Sequence, residues 1–161
     1  SIRTSDTWTH IAVTWDKDDT YTYSSTTYNG NQTIYVNGTK VGEGTSTMPG
    51  SSSIGTSNSM NQTRVNNLTN VYLGTLSPSH GMANMIMDDF AIWSSALDDN
   101  NITAIYNSGT PSDLTINAGN YDQQGNLVGY WKMESNTNDS SSNSNPLTVY
   151  NATYVNDTPS T

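Results

Sequence analysis

The dipeptide Asn37-Gly38 limits the folds open to this chain more than any other feature. It separates two β-prone runs, Gln32-Thr33-Ile34-Tyr35-Val36 and Thr39-Lys40-Val41. A two-residue connection between paired strands requires positive φ at both positions, and Asn-Gly meets that requirement at least steric cost. The spacing predicts a tight antiparallel hairpin. Upstream, Trp8-Thr9-His10-Ile11-Ala12-Val13-Thr14-Trp15 alternates, with Ile11, Val13 and Trp15 on one face and His10, Ala12 and Thr14 on the other. That is the period of a strand. Asp16-Lys17-Asp18-Asp19 is expected to end it as a solvated charge cluster. Residues 21–32, polar and tyrosine-rich, are expected to form a long loop or a variable hairpin tip.

The remaining chain continues in short pieces. Residues 48–67 are rich in Ser, Asn and Gly and read as a loop with a short strand near Ile54. Residues 71–74 read as a brief buried strand and residues 77–81 as a turn. Residues 85–93 are apolar on both faces apart from Asp88 and Asp89, which suits the inside of a two-layer sandwich. Asp98 is placed to cap a short helix with Ile102, Ile105 and Tyr106 on one side, Gly109 at its C-terminal stop and Pro111 beyond. Residues 127–133 read as a strand, 135–145 as an Asn/Ser-rich loop and 147–150 as a last strand. The expected fold class is all-β, an antiparallel β-sandwich with one short helix.

Composition agrees and narrows the partners. Of 161 residues, 32% are hydrophobic and 12% charged, yet the chain carries 10 Tyr and 4 Trp. Disordered chains are poor in aromatic residues, so a folded β structure with many polar turns is expected. The length suits one domain with a core. A net charge of −9 repels phosphate backbones and anionic lipid, which argues against nucleic acid and membrane insertion and leaves neutral glycans or divalent cations. The absence of cysteine tilts the source towards a bacterium or virus. Triplets such as Asn31-Gln32-Thr33 and Asn37-Gly38-Thr39 match the glycosylation pattern, but a chain this rich in Asn, Ser and Thr generates them by chance.

Five elements occur in a fixed order: residues 8–16, Ile34-Tyr35-Val36-Asn37-Gly38, Tyr72-Leu73-Gly74, Met87-Asp88-Asp89-Phe90-Ala91-Ile92-Trp93, and Ala96-Leu97 with residues 102–106. The order resembles the laminin-G-like, pentraxin-related branch of the concanavalin A-like lectin/glucanase jelly rolls, over about the first 110 residues. Leu127-Val128-Gly129-Tyr130-Trp131-Lys132-Met133 is similar to a segment of marine bacteriophage structural proteins. The resemblance implies a jelly roll whose early strands are missing before Ser1. Residues 1–118 then form a laminin-G-like segment, and 119–161 either complete the same sandwich or open a second module.

Candidate sites follow from chemistry and from that resemblance. Glycan-cleaving enzymes need two carboxyls about 5 Å apart for retention, or roughly 6.5–9.5 Å apart for inversion. Only two Glu are present, Glu43 and Glu134, far apart in sequence, and adjacent Asp88 and Asp89 on a strand would point to opposite faces. A non-catalytic chain is expected. Asp88 shares parity with Phe90 and Ile92, so it is expected to point inward, where a carboxylate needs N–H donors or a cation. The resemblance implies Ca²⁺ there. Asp16, Asp18 and Asp19 form a second acidic group, read as a solvated loop. Tyr21, Tyr23, Tyr28 and Tyr35 cluster in sequence as candidate rings for stacking on sugar. His10 is read as packed between strands, and His80 as exposed in a turn. The expected function is a virion surface or tail-associated structural module, or an extracellular one, that binds glycan or neighbouring subunits as a homo-oligomer or as part of a longer chain. The alternative is a carbohydrate-binding accessory module of a bacterial secreted enzyme or adhesin.

Overall fold

The computed structural model describes residues 2–3, 7–44, 72–74 and 84–156. The readings for residues 48–67, for the turn at 77–81 and for His80 lie outside them. The elements run in the order β1 (Ile2–Arg3), β2 (Trp8–Thr9), β3 (Ile11–Tyr23), β4 (Thr26–Val36), β5 (Thr39–Gly44), β6 (Ile86–Met87), β7 (Phe90–Trp93), α1 (Asp99–Tyr106) and β8 (Leu127–Trp131). Among the described residues all pairing is antiparallel, in three sheets ordered β2-β1-β6, β3-β4-β5 and β7-β8. The described residues are strand-dominated with one short α-helix, as the alternation and turn signals predict.

The β4–β5 turn forms at Asn37 and Gly38, with φ of 49° and 73°. Asn37 also ties the turn to the preceding strand: its N–H donates to the His10 carbonyl at 2.9 Å, and its Oδ1 accepts from the His10 N–H at 3.0 Å. Glycine is needed at 38 for a second reason, since a Cβ there would lie 2.7 Å from Tyr106 Cδ1.

The first hairpin is longer than expected. Of the two readings for residues 21–32, the hairpin tip forms and the long loop does not. The strands continue to a two-residue turn at Ser24-Ser25, pairing Tyr21 with Tyr28 and Thr22 with Thr27. Tyr and Thr are polar in composition but β-favouring in shape, and directly opposed Tyr–Tyr and Thr–Thr pairs stabilise a ladder. Nor does the charge cluster end β3. Between Asp16 and Thr20 the strand advances four residues while β4 advances two, from Asn31 to Asn29, so two extra residues are taken up as a bulge. Asp16 Oδ1 accepts from the Asp18 and Asp19 amides at 2.9 and 3.3 Å, and Asp19 Oδ2 accepts from Asn31 Nδ2 at 3.0 Å.

Three further expectations change. Residues 85–93 are not one strand, because Asp89 adopts a φ of 53° and splits them into β6 and β7. Residues 72–74 are a bend with Tyr72 exposed, and residues 147–150 form no strand. The helix is capped as expected, with Asp98 Oδ1 accepting from the Asn101 N–H at 2.8 Å. It stops at Asn107 rather than Gly109. Asn107 is left-handed (φ 43°, ψ 44°) and donates its N–H to the Thr103 carbonyl, a role asparagine tolerates better than other residues with a Cβ.

Two small cores meet at Trp93 and Ile105. Tyr35, Leu97 and Ile102 pack with Ala12 in one; Leu114, Tyr121, Leu127 and Tyr130 pack with Ala91 and Ala104 in the other. β8 lies against β7 in register from Phe90↔Trp131 to Trp93↔Leu127. Gly129 is required on it, because a Cβ would come within 2.3 Å of the Trp131 ring. The backbone of β8 is served on its other side by the Asn/Ser-rich loop. Asn143 Nδ2 donates to the Leu127 and Val128 carbonyls at 2.9 and 3.0 Å. The Tyr130 N–H donates to Asp139 Oδ1 at 2.9 Å, and the Ser140 N–H to the Tyr130 carbonyl at 2.6 Å. Side chains here supply what another strand would have supplied at an edge.

Candidate binding face

The β3–β4 ladder fixes which residues share a side, because directly opposed residues point the same way and the even-numbered bulge preserves the alternation. The pairs Ile11↔Val36, Val13↔Ile34, Trp15↔Gln32 and Tyr21↔Tyr28 therefore lie on one side, with Tyr23 beyond them. Ala12↔Tyr35 and Thr14↔Thr33 lie on the other. The side that packs on α1 is the second one: Tyr35 is 4% exposed and touches Leu97 and Ile102, with Ala12 beside it. Small residues at 12 and 14 lie on the covered side, and the other side is open at its aliphatic and tyrosine ends but closed between them, where Gln32 is 5% exposed. Ile11 is 46% exposed and Val13 54%.

Of the four tyrosines singled out from the sequence, three share the outward side. Tyr21 and Tyr28 are half-buried partners and Tyr23 is 51% exposed. Tyr35 is placed otherwise, which corrects its reading as a ligand-binding ring. Its hydroxyl donates to Asp99 Oδ1 at 2.7 Å, and burial together with that carboxylate pushes the phenol up to about 12. It is a structural residue. The sequence signal for the difference was present: Tyr35 has the parity of Thr33, opposite to Ile34 and Val36.

Asp88 is buried at 7% exposure, but in the kink between β6 and β7 and not through strand parity with Phe90 and Ile92. Burial first, then the charges of Asp89 and Glu134, raise its carboxyl to about 6. Asp89 does not oppose it across a strand, since both sit in the kink between β6 and β7. Tyr130 donates its hydroxyl to Asp89 Oδ1 at 2.7 Å and contacts the Ser112 carbonyl at 3.2 Å. Burial, more than this bond offsets, raises Asp89 as well. Three carboxyls thus come near one another, but among the described residues no group of three or more His, Cys, Asp or Glu is arranged to hold a metal ion. Asp16, Asp18 and Asp19 are exposed and spend their oxygens on the bulge and on Lys17. Glu43 is paired with Lys40 at 3.0 Å, on β5. Glu134 follows β8.

His10 sits between the strands and the helix, with its ring 5.8 Å from that of Tyr106. Its Nδ1 is buried without a hydrogen-bond partner, and burial holds the imidazole down to about 4. Burial thus favours the neutral ring, and the ring is packed as expected, but its Nδ1 lacks the backbone hydrogen bond expected of a histidine packed between strands.

What sequence reasoning missed is the C-terminal stretch. Val149, Tyr150, Tyr154 and Val155 are 46–53% exposed and belong to no strand. No helix of the described residues is long and apolar enough to cross a membrane. No family model, no curated protein and no solved structure matches this chain. The class that the described residues define is an antiparallel, strand-dominated fold with one short α-helix.

Proposed function

We propose that the chain is a non-catalytic adhesion module of the jelly-roll β-sandwich type, carried on a virion surface or tail, and that the outward side of β3–β4 is its contact surface for glycan or neighbouring subunits. The observation that carries this reading is the tyrosine end of that side. Tyr21 and Tyr28 are paired directly, and Tyr23 beside them is half exposed on the same side. Phenol rings in a β-ladder are rigid, amphipathic and already ordered, so stacking on a sugar ring or an apolar side chain costs little conformational entropy. An acidic chain tolerates a neutral glycan better than a sulfated or phosphorylated one. The virion setting rests on the resemblance of the ordered motifs.

The test is a glycan array at neutral pH, run with and without chelator, on the wild type and on Tyr23→Ala and Tyr28→Ala. Binding that falls at least tenfold in both variants supports the reading. An array on which the wild type stays silent, with the parent particle assembling normally, sinks the glycan part and leaves subunit contact.

A further inference from the structure

Among the described residues, the aliphatic end of the same side and the C-terminal stretch are two exposed surfaces of matching chemistry. Ile11 and Val13 stand exposed with Ile34 and Val36 half-buried beside them, on the side of the sheet turned away from α1. Residues 148–156 are all exposed, and residues 146–156 carry no Asp, Glu, Lys or Arg. A positive φ of 52° at Asn151 divides them into two apolar pairs, Val149-Tyr150 and Tyr154-Val155. An uncharged strip is the part of a −9 chain that meets least repulsion from another copy.

We propose that residues 148–155 of one copy dock on the Ile11–Val13–Ile34–Val36 surface of a second copy, reciprocally, to give a two-fold dimer. The tail leaves from the β8 side, where the Leu147 N–H is held by the Thr137 carbonyl at 3.1 Å. Trp93 and Ile105, shared by the two cores, stand between β8 and the packed side of β3–β4. The tail thus starts from the β7–β8 sheet while the surface it matches is on the far side of the β3–β4 sheet, which favours a contact between chains. Size points the same way. With half-exposed tyrosines contributing on the order of 100 Å² each and the aliphatic side chains less, one docked tail buries about 600 Å² in total, below a specific interface. Two reciprocal contacts reach about 1,200 Å², the lower bound for a stable one, and an isologous pair makes both at once.

The proposal rests on the outward side of β3–β4 being a contact surface, and its test uses different residues from the glycan test. Sedimentation of the whole chain from about 1 to about 200 µM, a span suited to the micromolar affinity of an interface at that size limit, should show a monomer–dimer equilibrium. Val13→Lys and, separately, Tyr150→Asp should each shift it at least tenfold towards monomer with an unchanged circular dichroism spectrum. The chain has no cysteine, so a mixture of Val13→Cys and Val149→Cys chains should give a mixed disulfide dimer under mild oxidation. Sedimentation as monomer at every concentration overturns the proposal. So does a dimer indifferent to both substitutions, or an internal disulfide in the Val13→Cys/Val149→Cys double variant. Loss of glycan binding in Tyr23→Ala with dimerisation intact leaves this inference standing, and the reverse leaves the adhesion reading standing.

Discussion

Tyr35 donates its hydroxyl to Asp99 at 2.7 Å, joining the hairpin to the first turn of α1 across 64 positions of sequence. Asp99 is exposed, so water replaces the phenol when it is removed. Tyr35→Phe should then cost only about 1 kcal/mol, the ordinary net worth of a hydrogen bond, measured by urea denaturation. The same variant should leave glycan binding unchanged. A loss of binding comparable to that in Tyr23→Ala would return Tyr35 to the ligand surface.

His10 and Asp88 should give opposing pH dependences. The folded value of His10, about 4, is below its ordinary 6.5, so the unfolded chain takes up the proton first. Its contribution is present above pH 6.5 and is lost as pH falls towards 4. Asp88 is raised from 3.8 to about 6, so there the folded chain takes up the proton first and stability improves as pH falls from 6 to 3.8. In the wild type the two effects offset each other below pH 6. His10→Gln should make the protein gain stability on acidification from pH 6 to 4, and Asp88→Asn should make it lose stability more steeply than the wild type. Urea midpoints at pH 7, 6, 5 and 4 decide it, and parallel curves for all three proteins would contradict both assignments.

The Asp88→Asn variant also tests the calcium expectation. An ion held at Asp88 would make the wild-type melting temperature fall on adding EDTA, with Asp88→Asn indifferent. A wild type indifferent to EDTA removes calcium from this kink.

Gly129 and Trp131 form the tightest packing on β8. Gly129→Ala should destabilise by about 1–3 kcal/mol, the usual cost of forcing an extra carbon into a packed site, because the new Cβ would sit 2.3 Å from an indole ring that is itself anchored through Nε1 to the Asn145 carbonyl at 2.7 Å. Equal stability for the two proteins would mean the indole can move.

The loop at residues 139–145 should matter for solubility more than a loop of its composition would suggest. Asn143→Ala removes the side-chain donor to the Leu127 carbonyl and one of three to the Val128 carbonyl, which Ser141 and Asn145 also serve, and Asp139→Ala removes the acceptor for the Tyr130 amide. Each should cost about 1–2 kcal/mol and increase aggregation on heating, followed by light scattering, since an uncovered strand edge is a pairing template.

Local chemistry sufficed for the elements whose geometry a few adjacent residues dictate. The Asn37-Gly38 turn, the Asp98 cap and the strand period within residues 8–15 were legible, because turn, cap and alternation depend on φ/ψ preferences and side-chain shape alone. The break at His10 that sends Trp8–Thr9 and Ile11–Tyr23 to different sheets was not. The same rules placed a hairpin tip within residues 21–32 without choosing it over a long loop, because polarity masked the β preference of Tyr and Thr, and they misplaced the helix stop, where Asn107 took the left-handed position ahead of Gly109. Alternation revealed that β3 has two unlike sides but not which one would be covered. That depended on α1 arriving from about 90 residues away to pack on Ala12 and Tyr35, a long-range contact that no local pattern encodes. The tertiary structure alone decided that Tyr35 is buried while Tyr21, Tyr23 and Tyr28 face outward with Ile11 and Val13. It also decided that Asp88 and Asp89 share a kink instead of opposing each other across a strand.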